Sequence, residues 1–184
     1  MNFSNLSSFT TDDREAARAA AEYLIRSGHR KIGIVCGSAV SEAGLIGSKR
    51  VESAIAVFKE NKIPFNKREQ FVPGKFSLED GYNGTIKLLE SYPEVTAIYA
   101  VSDVVAIGAL RAINDRKLKV PQDISIIGND GIDFARYVTP RLATVEQDVS
   151  QLAKRSVDDL LLRLNYNKPV IHEIIPFHVL AGES

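Results

Sequence analysis

A carboxylate set just past the carboxyl end of a buried strand is the chemistry this chain offers most clearly. In VPQDISIIGNDG (residues 120–131) a proline sets an entry turn, and Ile124, Ser125, Ile126 and Ile127 read as a buried strand. The strand ends at Gly128, with Asp130 just beyond it. In open α/β sheets ligands sit outside the carboxyl ends of the strands, and an aspartate there offers two acceptor oxygens to hydroxyl or N–H groups. The structural alternative is that Asp130 caps the turn before Ile132.

Other residues carry chemistry but lack the spacing to use it. CGSAVSEAGLIGSKR (residues 36–50) holds Gly37, Gly44 and Gly47, yet fits neither G-x-G-x-x-G nor the P-loop pattern. His29, His172 and His178 have no metal-ligand spacing. Cys36, at a strand end with no histidine nearby in sequence, reads as a small core residue rather than a nucleophile. The pairs Asp12 and Asp13, Glu79 and Asp80, and Asp158 and Asp159 fall on helix starts or exposed faces, where capping and solvation explain them. No catalytic constellation and no cofactor motif emerges.

The elements that must hold Asp130 alternate regularly. Ala17, Ala20, Ala21, Leu24 and Ile25 recur at helical spacing over residues 13–27, with caps at residues 11–13 and a helix-ending Gly28. KIGIVCG (31–37) reads as a buried strand. A helix carrying Val51, Ala54, Ile55 and Phe58 ends before Ile63, and a weak strand follows at 70–72. Ser77 opens a third helix to residue 90, with Asp80 at the capping-box position. VTAIYAV (95–101) is the next strand, 103–116 the next helix and 123–127 the strand after it. Helices alternating with continuously apolar strands imply a parallel sheet covered on both faces. After Asp130 come a short segment at 133–137, a strand at 142–145 and a long amphipathic helix. Its stripe is Val149, Leu152, Ala153, Val157, Leu160, Leu161 and Leu164, and the tail, 170–180, reads as one or two strands broken at Pro176.

The chain is long enough at 184 residues for one domain, or one and a fraction, with a core needing neither metal nor disulfides. Lys plus Arg and Asp plus Glu number 23 each, so the net charge is zero and no basic cluster suggests that this chain holds DNA by itself. The single cysteine excludes an internal disulfide. The start, MNFSNLSSFTTDDRE, carries no signal-like apolar run, and no run approaches the roughly 20 residues needed to cross a bilayer. A cytoplasmic location and no membrane partner are expected.

Taken in order, HRKIGIVCGS, Arg50, FSLEDGYNGTIKLL, VTAIYAVSDVVAIGALRAI, VPQDISIIGNDG and ARYVTPRLATVEQD resemble the effector-sensing part of lactose-repressor (LacI/GalR) type transcription regulators, from about Thr11 to the end. The resemblance implies an α/β, flavodoxin-like parallel sheet with helices on both faces, one lobe of a periplasmic-binding-protein type I fold. Residues 11–145 would form the second lobe of the sensor. Residues 146–184 would supply a crossover helix and terminal strands that return, at least in part, to a first lobe. Such regulators look like an N-terminal helix-turn-helix, a hinge helix and a two-lobed sensor, so the chain is expected to be a fragment lacking the DNA-reading headpiece and most of the first lobe.

The same resemblance implies the site. Arg50 and Asp130 correspond to an arginine and an aspartate that hold effector hydroxyls or ring nitrogens, the one as a planar fork of donors, the other as acceptors. For Arg50 the structural alternative is a surface pair with Glu52. Phe76 stands where an aromatic ring often stacks on the ligand, or else anchors its loop. Ser102 stands where many relatives carry Asn, and Asp103 beside it reads as a helix cap. Gln147 and Asp148 lie at the crossover between lobes, as does Asp12. The chain departs from the pattern at Ser53, Ala54, Gly131 and Gly182, which blurs the identity of the effector but not the fold.

The function expected is non-catalytic: sensing a small, sugar-like effector to control DNA binding of an intact regulator, as a homodimer. The alternatives are a solute-binding protein of a transport system, against which stand the missing signal peptide and the repressor-like residues 120–131, and a small α/β enzyme, which lacks its motif. The stripe on residues 149–164 is expected to be covered by a second copy of the chain or to fold back on its own lobe. Each leucine left in water forgoes about 1.5 to 3 kcal/mol.

Overall fold

The computed structural model describes residues 6–37, 46–166 and 168–184. The first strand, β1 (Ser8–Thr10), leads into helix α1 (Asp13–Arg26), whose N-cap Asp12 accepts hydrogen bonds from the Arg14 and Glu15 amides. There follow β2 (Ile32–Val35), α2 (Ile46–Glu60), a single helical turn α3 (Lys67–Gln70), β3 (Phe71–Val72), α4 (Leu78–Ser91), β4 (Ala97–Ala100), α5 (Asp103–Asp115) and β5 (Ser125–Asp130). A 3₁₀ turn (Asp133–Arg136) precedes β6 (Ala143–Gln147), α6 (Val149–Tyr166), β7 (His172–Ile174) and β8 (Phe177–Leu180).

Six strands form the main sheet in the order β3-β2-β4-β5-β6-β8. The first five run parallel, and β8 closes the edge antiparallel to β6. Every residue of β2 and β4 is buried, because helices cover both faces and a parallel sheet has no side left for water. Helices α1 and α2 pack together on one face, α4 and α5 on the other. The chain leaves β2 toward one edge of the sheet and β4 toward the other, so the crevice between their carboxyl ends is the topological switch point where such sheets hold ligands.

Two glycines set the distance between α4 and α5. A Cβ on Gly108 would stand 2.2 Å from the Leu78 carbonyl oxygen, and one on Gly81 would stand 2.3 Å from the Val105 carbonyl oxygen. The two helices therefore touch backbone to backbone, each through the other's glycine.

Residues 146–184 do not behave as one piece. Strand β7 pairs in parallel with β1, forming a two-stranded ribbon apart from the main sheet, whereas β8 lies within that sheet. Ser184 is tied in further: its hydroxyl donates to the Ile126 carbonyl and accepts the Ala143 amide, both at 2.8 Å. Helix α6 meets β1, and Arg155 binds Glu173 of β7 and lies over the Phe9 ring. At 100° per residue the stripe of Val157, Leu160, Leu161 and Leu164 falls on the side opposite Arg155, and all four are more than half exposed. Folding back of this stripe on its own lobe, one of the two outcomes expected for it, does not occur. The polar face of the helix has taken the inward position.

The elements follow the sequence pattern closely, with three differences. Strand β5 runs through Asp130 instead of ending at Gly128, because Asn129 and Asp130 keep their register with Val145 and Glu146. Strand β1 and the turn α3 are too short to leave a periodic signal.

Candidate functional site

Five elements deliver one polar cluster to the carboxyl end of the sheet. The first residue of α1 supplies Asp13, α2 supplies Arg50, the end of β4 supplies the Val101 carbonyl, the end of β5 supplies Asn129 and Asp130, and the last residue of β6 supplies Gln147. Arg50 is 3% exposed and sits in the middle. Its Nη2 lies 2.9 Å from both Asp13 Oδ1 and Asp130 Oδ1, its Nε donates to Asp13 Oδ1 at 3.0 Å, and its Nη1 donates to the Val101 carbonyl at 2.7 Å. The Asn129 amide, oriented from the hydrogen-bond network, turns its oxygen to Nη1 and Nη2 at 3.2 Å.

Arg50 and Asp130, each expected to hold the ligand, are thus bound to each other in a direct ion pair, and the alternative pairing of Arg50 with Glu52 is not formed. Glu52 faces Arg14 across 3.5 Å. What sequence did not foresee is that the fork is turned inward. Burial, the largest single influence, works against the Arg50 charge, yet the facing Asp130 and Asp13 carboxylates outweigh it and hold the guanidinium above its ordinary value. Burial likewise pushes the Asp130 carboxyl up, and the Arg50 charge pulls it back only in part.

Asp130 Oδ1 also accepts the Gln147 amide at 2.9 Å. Its Oδ2 takes no hydrogen bond from the described residues, and the side chain is 29% exposed, so one oxygen stays open to a donor from outside the chain. The backbone that presents it is strained: Asp130 has φ +128°, a region that non-glycine residues seldom occupy. Gly131 follows at φ +75°, where a Cβ would come within 2.5 Å of the Glu146 Cα. A second aspartate at this position would collide with β6.

The turn after β5 is braced by Asp103 and not by Asp130. The fully buried Asp103 carboxylate accepts the Gly131 and Ile132 amides at 2.7 and 2.8 Å through Oδ2, and the Thr144 hydroxyl at 2.6 Å through Oδ1. The cap of α5, expected of Asp103, is made by Ser102, whose hydroxyl accepts the Val105 amide at 3.3 Å. Ser102 is itself buried, at 2% exposure. Phe76 stands exposed between β3 and α4, with no ring partner among the described residues. Asp148 caps α6 by accepting the Gln151 amide at 2.8 Å. Beside Gln147 a recess of about 590 Å³ opens between Gly131, Arg136, Asp148 and His178, and neither Arg50 nor Asp130 lines it.

Of the residues expected at the site, Arg50, Asp130 and Gln147 are brought together, Ser102 is spent on a cap, and Phe76 lies outside this hydrogen-bonded cluster. Asp13 and Asn129 were missed. Asp13 follows a capping Asp12 at a helix start, and nothing in its spacing points across to Arg50.

The remaining chemistry-bearing groups are structural. The Cys36 thiol is buried and pushed up to about 12 by that burial, far from a reactive thiolate. His29 meets Thr96 at 3.1 Å and His172 meets Ser8 at 2.8 Å. Among the described residues no group of three or more His, Cys, Asp or Glu is arranged to hold a metal, and no helix is long and apolar enough to cross a membrane. Most of the glycine-bearing loop weighed as a phosphate cradle, Gly44 included, lies outside the described residues. Gly47 belongs to α2.

Residues 5–184 match the family described as periplasmic binding protein-like domain. The chain belongs to this family. The domain is 35% identical over 156 residues to a probable HTH-type transcriptional repressor, ExuR, of Bacillus subtilis, a match covering 85% of this chain and 46% of the relative. It is 37% identical over 145 residues to the ribose operon repressor of Haemophilus influenzae, covering 79% of this chain and 42% of the relative. Among solved structures, a LacI family transcriptional regulator of Enterococcus faecium with bound ribose superposes with a TM-score of 0.84 at 29% identity, over 97% of this chain and 65% of that one. The resemblance to lactose-repressor type regulators read from the sequence is therefore met by both kinds of relative. These relatives are named as transcriptional regulators, not as enzymes. The domain spans less than half the length of the two repressors it matches.

Proposed function

We propose that this domain is the effector-sensing portion of a cytoplasmic, LacI-type transcription regulator, holding a small sugar-like molecule at the carboxyl ends of β4, β5 and β6. The observation that carries this reading is the ion pair of Arg50 and Asp130 at the carboxyl end of the sheet, with Asp130 Oδ2 open and Gln147 alongside. Asp130 accepts ligand hydroxyls and Gln147 adds an amide. Arg50 fixes the carboxylate in place, Phe76 offers an exposed ring at the rim, and Ser102 supports the site from below as the cap of α5. The ribose named in the E. faecium structure supports a sugar as ligand. No bond is made or broken. In the intact regulator, DNA contact belongs to another segment, and residues 11–145 form the ligand-holding lobe, while residues 146–176 connect to its companion.

Regulation follows from differential affinity: a ligand that grips Asp130 and a facing lobe together favours the closed arrangement by as much as it binds that arrangement better. One lobe alone offers half the contacts, so affinity in the millimolar range is expected. Amide chemical shifts recorded against sugars, sugar phosphates and purines test this. Shifts centred on Asp130, Gly131 and Gln147 with a sugar are expected. No response there to any compound at tens of millimolar would contradict the reading.

A further inference from the structure

The arginine of this site has no donor left for a ligand. Its five N–H groups face Asp13, Asp130, Asn129 and the Val101 carbonyl, all inside the chain, and 97% of its surface is covered. Asp13 is responsible for much of this. It takes Nε and a share of Nη2, and it turns a neutral pair into a cluster of two carboxylates on one cation. Among the described residues no other cation is in ion-pair reach of Asp13 or Asp130. A further carboxylate, Asp103, lies buried close by and receives the amides of Gly131 and Ile132. The open Asp130 oxygen therefore belongs to a cluster of net negative charge, whose own guanidinium has no N–H left to offer.

We propose that Asp13 is a specificity-determining residue, which disarms Arg50 and makes this face of the site select uncharged polyhydroxy ligands over their phosphorylated or carboxylated counterparts. The inference rests on the sugar-sensing reading above and adds the charge class of the ligand. A hydroxyl donates to Asp130 Oδ2 whatever the charge of the cluster, whereas a phosphate or carboxylate meets a like charge and no compensating cation within the cluster. With Asp13→Asn the amide oxygen still accepts from Nε, the fold keeps its contact, and the cluster loses one negative charge. The Arg50–Asp130 pair is then neutral, and the cluster no longer sets a net negative charge against an anion placed beside Asp130.

The test compares ligand pairs differing only in charge, D-glucose with D-glucuronate and D-ribose with D-ribose 5-phosphate, by amide shift titration of the wild type, Asp13→Asn and Asp13→Glu, each first shown folded by its spectrum. The neutral member is expected to bind at least about tenfold better in the wild type, Asp13→Asn to narrow that ratio by about tenfold, and Asp13→Glu to retain it. A purely packing role for Asp13 would weaken both members alike and leave the ratio fixed. A wild type that binds the anion as well as the neutral sugar, or an Asp13→Asn ratio unchanged from wild type, overturns the inference while leaving the sensing site intact. Silence of both members of both pairs would instead bring down the sensing reading and this inference with it.

Discussion

The Asp103 carboxylate and the Thr144 hydroxyl meet at 2.6 Å, joining the first turn of α5 to β6 beneath the turn that carries Asp130 and Gly131. That contact and the two amides Asp103 also accepts make this buried residue the support on which the turn carrying Asp130 rests. Replacing it with alanine strands two backbone N–H groups and a hydroxyl. Asp103→Ala should cost about 3 kcal/mol in urea unfolding.

The same residue sets a pH dependence. Burial pushes Asp103 above its ordinary value, more than its hydrogen bonds pull it down, so the folded chain holds that proton more tightly than the unfolded chain. Its contribution is then fully present below the ordinary carboxylate range and is lost as pH rises through the folded value. Urea titrations of wild type and Asp103→Asn across mildly acid to neutral pH should show the wild-type advantage shrinking as pH rises. An advantage that grows would mean the carboxyl is depressed instead.

Arg50 neutralises two carboxylates from within. Arg50→Met leaves Asp13 and Asp130 facing each other without a cation and should lose about 3 kcal/mol. Adding Asp13→Asn should recover part of that loss. Arg50→Lys should not restore the wild type, since a single ammonium cannot serve Asp13, Asp130 and Val101 in the planar arrangement of a guanidinium. Chemical unfolding of the three variants separates these outcomes.

At the α4–α5 contact, Gly81→Ala and Gly108→Ala should each cost about 1 to 3 kcal/mol, because the added methyl meets a carbonyl oxygen of the other helix and backbone must move. Alanine raises helix propensity in isolation, so a stabilised variant would show that the two helices are not in contact in solution.

The outward leucines of α6 form an apolar surface that water covers poorly. Sedimentation should show self-association rising with concentration, and the double change Leu160→Ser and Leu164→Ser should shift it toward monomer without altering the main sheet. A wild-type chain that stays monomeric at high concentration would contradict a dimer through this helix.

How much of this was legible in the residues differs by element. The buried strands wrote themselves as runs such as IGIV and AIYA, and helices with a polar outer face, such as α1, showed a clear period. That Arg50 and Asp130 belong to one site was anticipated through resemblance, not through spacing; that they bind each other was not. The inward turn of Arg50 was not, since it depends on Asp13 arriving from α1. Likewise Ser102 and Asp103 are neighbours of similar capping propensity, and only the approach of Gly131 and Thr144 decides which one caps α5 and which one braces the turn.

The strained backbone at Asp130 lets the role of its carboxylate in holding a ligand be tested directly. Glycine relieves φ +128° and removes the carboxylate, while alanine removes the carboxylate and keeps the strain, so Asp130→Gly should be about 1 kcal/mol more stable than Asp130→Ala. Titrated with D-ribose, the well-folded Asp130→Gly chain should lose the amide shifts at Gly131 and Gln147 that the wild type displays. Retention of wild-type shifts and affinity by Asp130→Gly would show that the ligand is held elsewhere.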